Sequence, residues 1–253
     1  MSNAGTYLYG FTGAAFQPPA GLRGLAAAPV QLIGYRDVAA VVSRHPVQPL
    51  MPLRSNLEPH HRIVRHVSGE ATLVPVAFGH ISENDDEVRE VLRDNYDEIR
   101  GELARLDRMC EMGVKLSWAV ENIFEHLVQR DRPLRELRDR VFGHRQPSLN
   151  DRLQVGSAFA AALTRERERL TAILLRALEP IARDVFSSPA RTEKTICQTA
   201  LLVERRRLGE FTPAIERAAA LFNADFNLQY SGPWAPYSFV RLRLQLAKPT
   251  AAA

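Results

Sequence analysis

The sequence is poor in residues that several classes of protein require. It contains only two cysteines, Cys110 and Cys197, which lie far apart, each in a segment with apolar periodicity. This predicts two buried free thiols in a reducing compartment rather than a disulfide. No apolar run approaches the roughly 18 residues that a membrane-spanning helix needs, and no secretory signal is recognised. We therefore predict a cytoplasmic protein that does not associate with a membrane.

The chain also lacks a strong excess of charge of either sign. Its formal net charge is +4, from 33 basic and 29 acidic residues, which permits acidic partners but does not require nucleic acid. The arginine-rich segments at residues 130–145 and 205–207 stand beside acidic residues, which favours a solvated face over nucleic-acid binding. A protein interface is equally compatible with these segments, because arginine suits contacts with carboxylates. The tentative interface residues from this argument are Arg205, Arg206 and Arg207.

No motif for catalysis, phosphate binding or metal binding is recognised. The glycines form neither of the common phosphate-binding loops, and no serine elbow or cysteine–histidine nucleophile pattern stands out. His60, His61 and His66 lie on one expected helix without the i, i+4 spacing of a zinc pair, so a structural or solvated role is favoured. We therefore predict no catalytic residue, no cofactor and no metal site. An enzyme with an unrecognised site is the alternative, and it would show a deep pocket with convergent polar groups.

The first half of the chain alternates strand and helix patterns. Apolar runs predict strands at residues 6–11, 30–33, 38–42 and 73–78, and strict alternation predicts another at 114–120. Start and stop signals predict a helix over 56–69, with Pro59 tolerated in its first turn. Helical spacing predicts one long helix whose apolar stripe runs from Val88 to Leu106. The expected fold is α+β, with a modified ferredoxin-like plait over residues 5–120. Pro75 cannot donate to a neighbouring strand, so that strand has one irregular side, and Pro75 is a tentative interface residue.

The second half predicts a smaller α+β plait with a long helix over residues 121–253. Residues 122–145 are helical but strongly charged, which suits a bridge between domains. A long helix capped by Asn150 or Asp151 follows, and Pro180 is expected to kink it before it continues to Val185. Beyond it, the pattern predicts a strand at 195–203, a helix at 211–222, and strands at 226–231 and 240–246.

An aromatic, proline-rich turn near the end of the chain is the most specific motif. It is read either as a packed structural corner or as a rigid aromatic anchor at an interface. Its distinctive residues are Tyr230, Gly232, Pro233, Trp234, Pro236, Tyr237 and Phe239. Together with residues 7–10, 38–43, 74–79 and 113–118, this segment resembles the gas vesicle protein F/L family (GvpF/GvpL). Ala235 departs from the family's pattern, which usually has proline there.

The resemblance implies an accessory or minor structural protein of gas vesicles. Members of this family have two α+β domains, the first a modified ferredoxin fold, and carry no catalytic residues or cofactor. They are expected to associate with the hydrophobic major shell protein during vesicle assembly, and with other accessory proteins. The rival hypothesis is a tandem ferredoxin-like regulator that binds a small ligand or RNA. RNA binding would be tight and sensitive to salt, although no segment matches the RNA-recognition signature.

Overall fold

The fold is α+β, as the sequence predicts, with helices packed on two sheets. The computed structural model describes residues 4–143 and 147–244. Their contacts divide them into two compact units. The first unit falls within Met1–Met112, Leu202–Arg206 and Gly232–Ala253, and the second within Gly113–Leu201 and Arg207–Ser231. The predicted domains, residues 5–120 and 121–253, stay a prediction. The compact units differ from them in assigning residues 202–206 and 232–244 to the first unit and residues 113–120 to the second.

The first sheet is antiparallel and is built around its first strand. Its strands are β1 (Ala4–Gly13), β2 (Val30–Tyr35), β3 (Val38–Pro46), β4 (Leu73–Pro75) and β5 (Ile81–Ser82). They lie in the order β2-β3-β1-β4, and β5 also pairs with β1. β2 and β3 form a β-hairpin whose loop contains only Arg36 and Asp37. Nearly every residue of β1 is buried, because the strand has neighbours on both edges and helices on the sheet.

Three helices complete the first unit: α1 (Arg54–Glu70), α2 (Asp85–Asp94) and α3 (Tyr96–Arg105). Ile63, Val64 and Val67 of α1 pack against Tyr7 and Tyr9 in the core. The single long helix predicted up to Leu106 is wrong, because it breaks into α2 and α3 at Asn95. The Asn95 side-chain amide donates to the Val91 carbonyl at 2.8 Å. This local hydrogen bond competes with a continuous helical backbone.

The segment between β1 and β2, whose glycine and proline content predicts an exposed connector, is largely exposed, but one residue anchors it to the core. Leu25 begins a short 3-10 turn, Leu25–Ala27, and its side chain is buried. The Leu25 N–H donates to the Tyr9 hydroxyl at 2.8 Å, and that hydroxyl also bonds the Ser43 hydroxyl. A buried tyrosine therefore holds this segment against the sheet.

The second sheet has the strand order β7-β8-β6-β9. Its strands are β6 (Met109–Trp118), β7 (Asp184–Ser188), β8 (Thr195–Glu204) and β9 (Phe226–Trp234). The alternation predicted for β6 is confirmed, but the strand begins at Met109, so Gly113 lies within it. Cys110 and Cys197 are buried free thiols, as predicted, and burial raises the pKa of both.

The second unit contains four helices: α4 (Ile123–Arg130), α5 (Arg132–Phe142), α6 (Leu149–Leu178) and α7 (Leu208–Ala219). The cap predicted at Asn150 or Asp151 is Ser148, whose hydroxyl accepts from the Asp151 N–H in a capping box. Pro180 does not kink α6, because the helix has already ended at Leu178. If the helix continued, the ring of Pro180 would clash with the carbonyl four residues before it. The predicted helical continuation to Val185 is also wrong, because residues 179–183 form turns and a bend and β7 begins at Asp184.

The strand predicted at residues 240–246 is also wrong where it can be compared. Residues 240–244 follow a 3-10 turn, Tyr237–Phe239, and form no strand, while residues 245–246 lie outside the described residues. The backbone N–H of Arg241 donates to the Glu102 carboxylate at 2.7 Å rather than to a neighbouring strand. Across the described ranges, no helix has the length and hydropathy needed to cross a bilayer.

Candidate functional site

The aromatic turn begins in β9, at a glycine that no other residue could replace without strain. Gly232 has φ +126°, a conformation that residues with a Cβ rarely adopt. A Cβ there would lie 2.9 Å from the Glu111 carbonyl oxygen and 2.8 Å from the Met112 sulfur. The peptide bond from Gly232 to Pro233 is cis. The close contact of Gly232 with Glu111 and Met112 therefore fixes the direction of the backbone at the residues that follow.

A buried chain of hydrogen bonds holds the next part of the turn. The Tyr237 hydroxyl lies 2.9 Å from Nε2 of His60, and Nδ1 of His60 lies 2.8 Å from the Tyr7 hydroxyl. The Tyr7 hydroxyl also accepts the Gly79 N–H at 3.0 Å. A neutral imidazole has one donor and one acceptor nitrogen, so one of the two tyrosine hydroxyls donates to His60 and the other accepts from it. We call this the Tyr7–His60–Tyr237 chain.

Burial sets the ionisation of all three groups in the Tyr7–His60–Tyr237 chain. It lowers the pKa of His60 to about 4, and the neighbouring His61 acts in the same direction. Burial also raises the pKa of the Tyr7 and Tyr237 hydroxyls far above their ordinary value. The chain is therefore neutral near pH 7, as a buried hydrogen-bonded network requires.

We expect stability to fall as the pH is lowered from about 6.5 to about 4, because the unfolded state then binds a proton that folded His60 does not. Each unit of pKa difference corresponds to about 1.4 kcal/mol, so the loss attributable to His60 is about 3 kcal/mol. Urea unfolding at a series of pH values measures it. His80, whose pKa is also lowered by burial, adds a fall of the same sign.

The control for this pH dependence is His60→Gln, which retains a donor and an acceptor but does not titrate. Its stability should decline less between pH 6.5 and 4 than that of the natural chain. Equal declines in the two proteins would show that His60 does not couple folding to protons.

Two carboxylates fix the end of the turn. Glu111 accepts from the Ser238 N–H at 2.8 Å and from the Ser238 hydroxyl at 2.9 Å. Glu102, which is 8% exposed, accepts from the guanidinium of Arg105 and from the Arg241 N–H. Burial works against the Glu102 charge, but these donors outweigh it and hold the pKa of that carboxyl below its usual range.

An open cleft remains beside this fixed turn. It has a volume of about 360 Å³, and we call it the tryptophan cleft; its lining residues are His61, Val64, Arg65, Glu111, Trp234, Ala235 and Tyr237. The Arg65 guanidinium lies 5.3 Å from the centre of the Trp234 ring, within range of a cation–π contact. Trp234 is 41% exposed and Tyr237 is 37% exposed, whereas Ala235 and Phe239 are buried. The turn is therefore a packed corner that also leaves the side chains of Trp234 and Tyr237 partly exposed.

Comparison with known families shows which family this chain belongs to. The family model of "Gas vesicle synthesis protein GvpL/GvpF" matches residues 5–241. The chain belongs to the GvpL/GvpF family.

Individual members of the GvpL/GvpF family agree with this assignment. Gas vesicle protein F of Streptomyces sp. (strain CB03234) is 31% identical over 213 residues, covering 84% of this chain and 88% of that protein. Gas vesicle protein F of Dolichospermum flosaquae is 21% identical and covers 93% of this chain and 97% of that one. The crystal structure of GvpF from Anabaena sp. PCC7120 has the same fold, with a TM-score of 0.83 at 22% identity. That alignment covers 95% of this chain and 99% of the Anabaena chain.

Several other predicted site residues of this GvpL/GvpF chain are not among the residues that line the tryptophan cleft. Tyr230 belongs to the second unit, is 48% exposed and packs against Phe211, with ring centres 5.8 Å apart. Pro75 ends β4 at the end of the sheet order, as its missing N–H predicts, but its side chain is buried. Arg207 belongs to the second unit and bonds Glu210 and the Pro180 carbonyl. The interface roles proposed for these residues stay predictions.

Sequence reasoning missed two residues that hydrogen-bond the aromatic turn, His60 and Glu111. His60 was grouped with His61 and His66 as a failed zinc motif, and Glu111 received no role. One signal was available for His60, which lies three and four residues before the buried Ile63 and Val64 on α1. No comparable signal marked Glu111, because its partner Ser238 is 127 residues away. Throughout residues 4–143 and 147–244, no group of three or more His, Cys, Asp or Glu side chains is arranged to hold a metal ion.

Proposed function

We propose that this chain is a non-enzymatic accessory or minor structural protein of gas vesicles that binds the hydrophobic major shell protein during vesicle assembly. It would act in the cytoplasm, associated with the growing vesicle. Membership of the GvpL/GvpF family supports the gas vesicle role, and the relatives carry gas vesicle names rather than enzyme names. The binding partner is the expectation that the family resemblance brings.

The observation that supports a binding role is the rigid presentation of Trp234. Its backbone follows Gly232, which packs closely on Glu111 and Met112, and precedes the buried Ala235 and the Tyr7–His60–Tyr237 chain. A tryptophan held in this way loses little conformational entropy when a partner covers it. Aromatic anchors in pockets commonly carry most of the energy of a protein interface. A shell subunit with a large apolar surface offers such an anchor a complementary contact.

Replacing Trp234 with alanine should reduce capture of the major shell protein at least about tenfold, because loss of an interface anchor commonly costs 2 kcal/mol or more and tenfold corresponds to about 1.4. The measurement is a pull-down of co-expressed shell protein with the full-length chain, quantified against the bait. Phe186→Ala is the matched control. It removes another aromatic side chain, 47% exposed on β7 of the second unit.

Capture should be nearly unchanged in the Phe186 variant. If the natural chain captures no shell protein, direct binding is wrong. If both variants capture as much as the natural chain, the tryptophan cleft is not the binding surface.

A further inference from the structure

A second groove in the first unit lies where β6 begins and β8 ends. A larger cavity of about 420 Å³ is lined by residues 107–109 and 204–206. A smaller one of about 180 Å³ is lined by residues 68–72, 107–109 and 205. The two cavities share Asp107, Arg108, Met109 and Arg205, so they adjoin one another and are treated as one groove. We call it the arginine groove.

The acidic side chains of the larger cavity already have partners. The Thr72 hydroxyl donates to Asp107 at 2.6 Å, and Arg108 lies 3.8 Å from the same carboxylate. Arg206 bonds Glu204 at 2.5 Å. Arg205 differs, because its guanidinium makes no ion pair or side-chain hydrogen bond within the part of the chain that the structure describes. Arg205 is half-buried and lines both cavities, so it is a cation in the groove without an ion-pair partner among the described residues.

The backbone holds Arg205 in this position. Its N–H donates to the Arg108 carbonyl at 2.9 Å, which joins the end of β8 to the start of β6. Arg108 has φ +54°, a left-handed conformation that is uncommon for a residue with a side chain and is often found at functional sites. The side chains of Arg108 and Arg206 are 88% and 81% exposed, so both can turn toward a ligand beside Arg205.

We propose that the arginine groove binds an acidic segment of a polypeptide partner, with a carboxylate seated on Arg205. Arginine binds carboxylates through two parallel N–H donors, and an unpaired, half-buried guanidinium gains most from such a contact. The smaller cavity argues against nucleic acid. It is lined by the C-terminal turn of α1, which includes Glu70. The negative end of the helix dipole and the Glu70 carboxylate both disfavour a bound phosphate there.

A polypeptide matches this division of charge. It can place a glutamate or aspartate on Arg205 and lay peptide N–H groups along the helix end, whereas nucleic acid is negative along its whole length. The groove is distinct from the tryptophan cleft, so this inference goes beyond the proposed function and is tested independently of it.

The test uses the full-length chain and a fluorescent peptide of about nine residues with two central glutamates. A second peptide carries glutamines at the same positions. Fluorescence anisotropy at low and moderate salt measures the affinity of each peptide for the natural chain, for Arg205→Gln and for Arg54→Gln. Arg54 is the matched control, because it loses the same charge from a side chain that is 95% exposed at the start of α1. Thermal unfolding of each variant verifies that it is folded.

The natural chain should bind the glutamate peptide at least about tenfold more tightly than the glutamine peptide. Arg205→Gln should abolish that difference, and Arg54→Gln should retain it. The proposal is overturned if the natural chain does not distinguish the two peptides, or if both variants weaken binding equally. It is also overturned if single-stranded RNA of the same total charge displaces the fluorescent glutamate peptide at a lower concentration than the unlabelled glutamate peptide does. The groove would then be a nucleic-acid site.

Discussion

Replacing His60 with alanine should lower the free energy of unfolding by about 4 kcal/mol. The change removes one hydrogen-bond partner from each of the Tyr7 and Tyr237 hydroxyls, although Tyr7 keeps the Gly79 N–H, and a lost partner at a buried group costs about 1–3 kcal/mol. It also removes a ring that stacks on Tyr9, with centres 5.7 Å apart, and leaves a cavity in a fully buried region. The loss is large because one side chain supports both β1 and the aromatic turn.

Equilibrium unfolding in urea measures this loss, and His61→Ala is the matched control. His61 is the next residue on α1, but it is exposed and makes no hydrogen bond to either tyrosine. Its replacement should change stability by less than about 0.5 kcal/mol, as is usual for surface positions. Unfolding free energies for the two variants that agree within error would show that the Tyr7–His60–Tyr237 chain does not stabilise the fold.

The second large effect is expected for Gly232→Ala, which should destabilise the chain by about 2–4 kcal/mol. The strain of a Cβ at positive φ contributes about 1–2 kcal/mol, and crowding against neighbouring atoms adds a comparable amount. The nearest of these atoms are the Glu111 carbonyl oxygen at 2.9 Å and the Met112 sulfur at 2.8 Å. Because a backbone oxygen is among them, the crowding cannot be relieved by rotation of a side chain alone.

Gly101→Ala provides the control for this substitution. Gly101 lies within α3, and nothing lies within 4 Å of the position its Cβ would occupy. Alanine is the better helix former, so this variant should be as stable as the natural chain or more stable by up to about 1 kcal/mol. Thermal melts of the two alanine variants measure the contrast. If the Gly232 variant and the natural chain have the same melting temperature, the turn tolerates another backbone conformation.

Local patterns predicted most of the secondary structure correctly, because most of it depends on residues close in sequence. Alternation along β6 is one example, and the start and stop signals of α1 are another. The errors occurred where a competing local interaction was overlooked. Asn95 ends a helix that the apolar stripe alone would continue, and Pro180 follows α6 rather than bending it.

The aromatic turn was recognised from its composition, but its surroundings were not. Gly232, Trp234 and Tyr237 could be selected from the sequence because glycine, proline and aromatic residues rarely cluster without a structural or binding role. Their partners could not be selected. Tyr237 bonds a histidine 177 residues earlier, and Arg241 bonds a carboxylate 139 residues earlier. Separations of this size leave no periodic or spacing signal for sequence analysis.

The amino-acid sequence by itself determined the α+β class, the burial of both cysteines, the membership suggested by the final turn, and most of the strands and helices. These depend on side-chain periodicity, on burial preference and on short motifs. Only the tertiary structure decided that residues 232–244 join the first unit, that His60 is a neutral link between two tyrosines, and that Arg205 lines a groove. The physical reason is that hydrogen bonding, burial and pKa depend on groups brought together through space, and chain folding alone determines which groups these are.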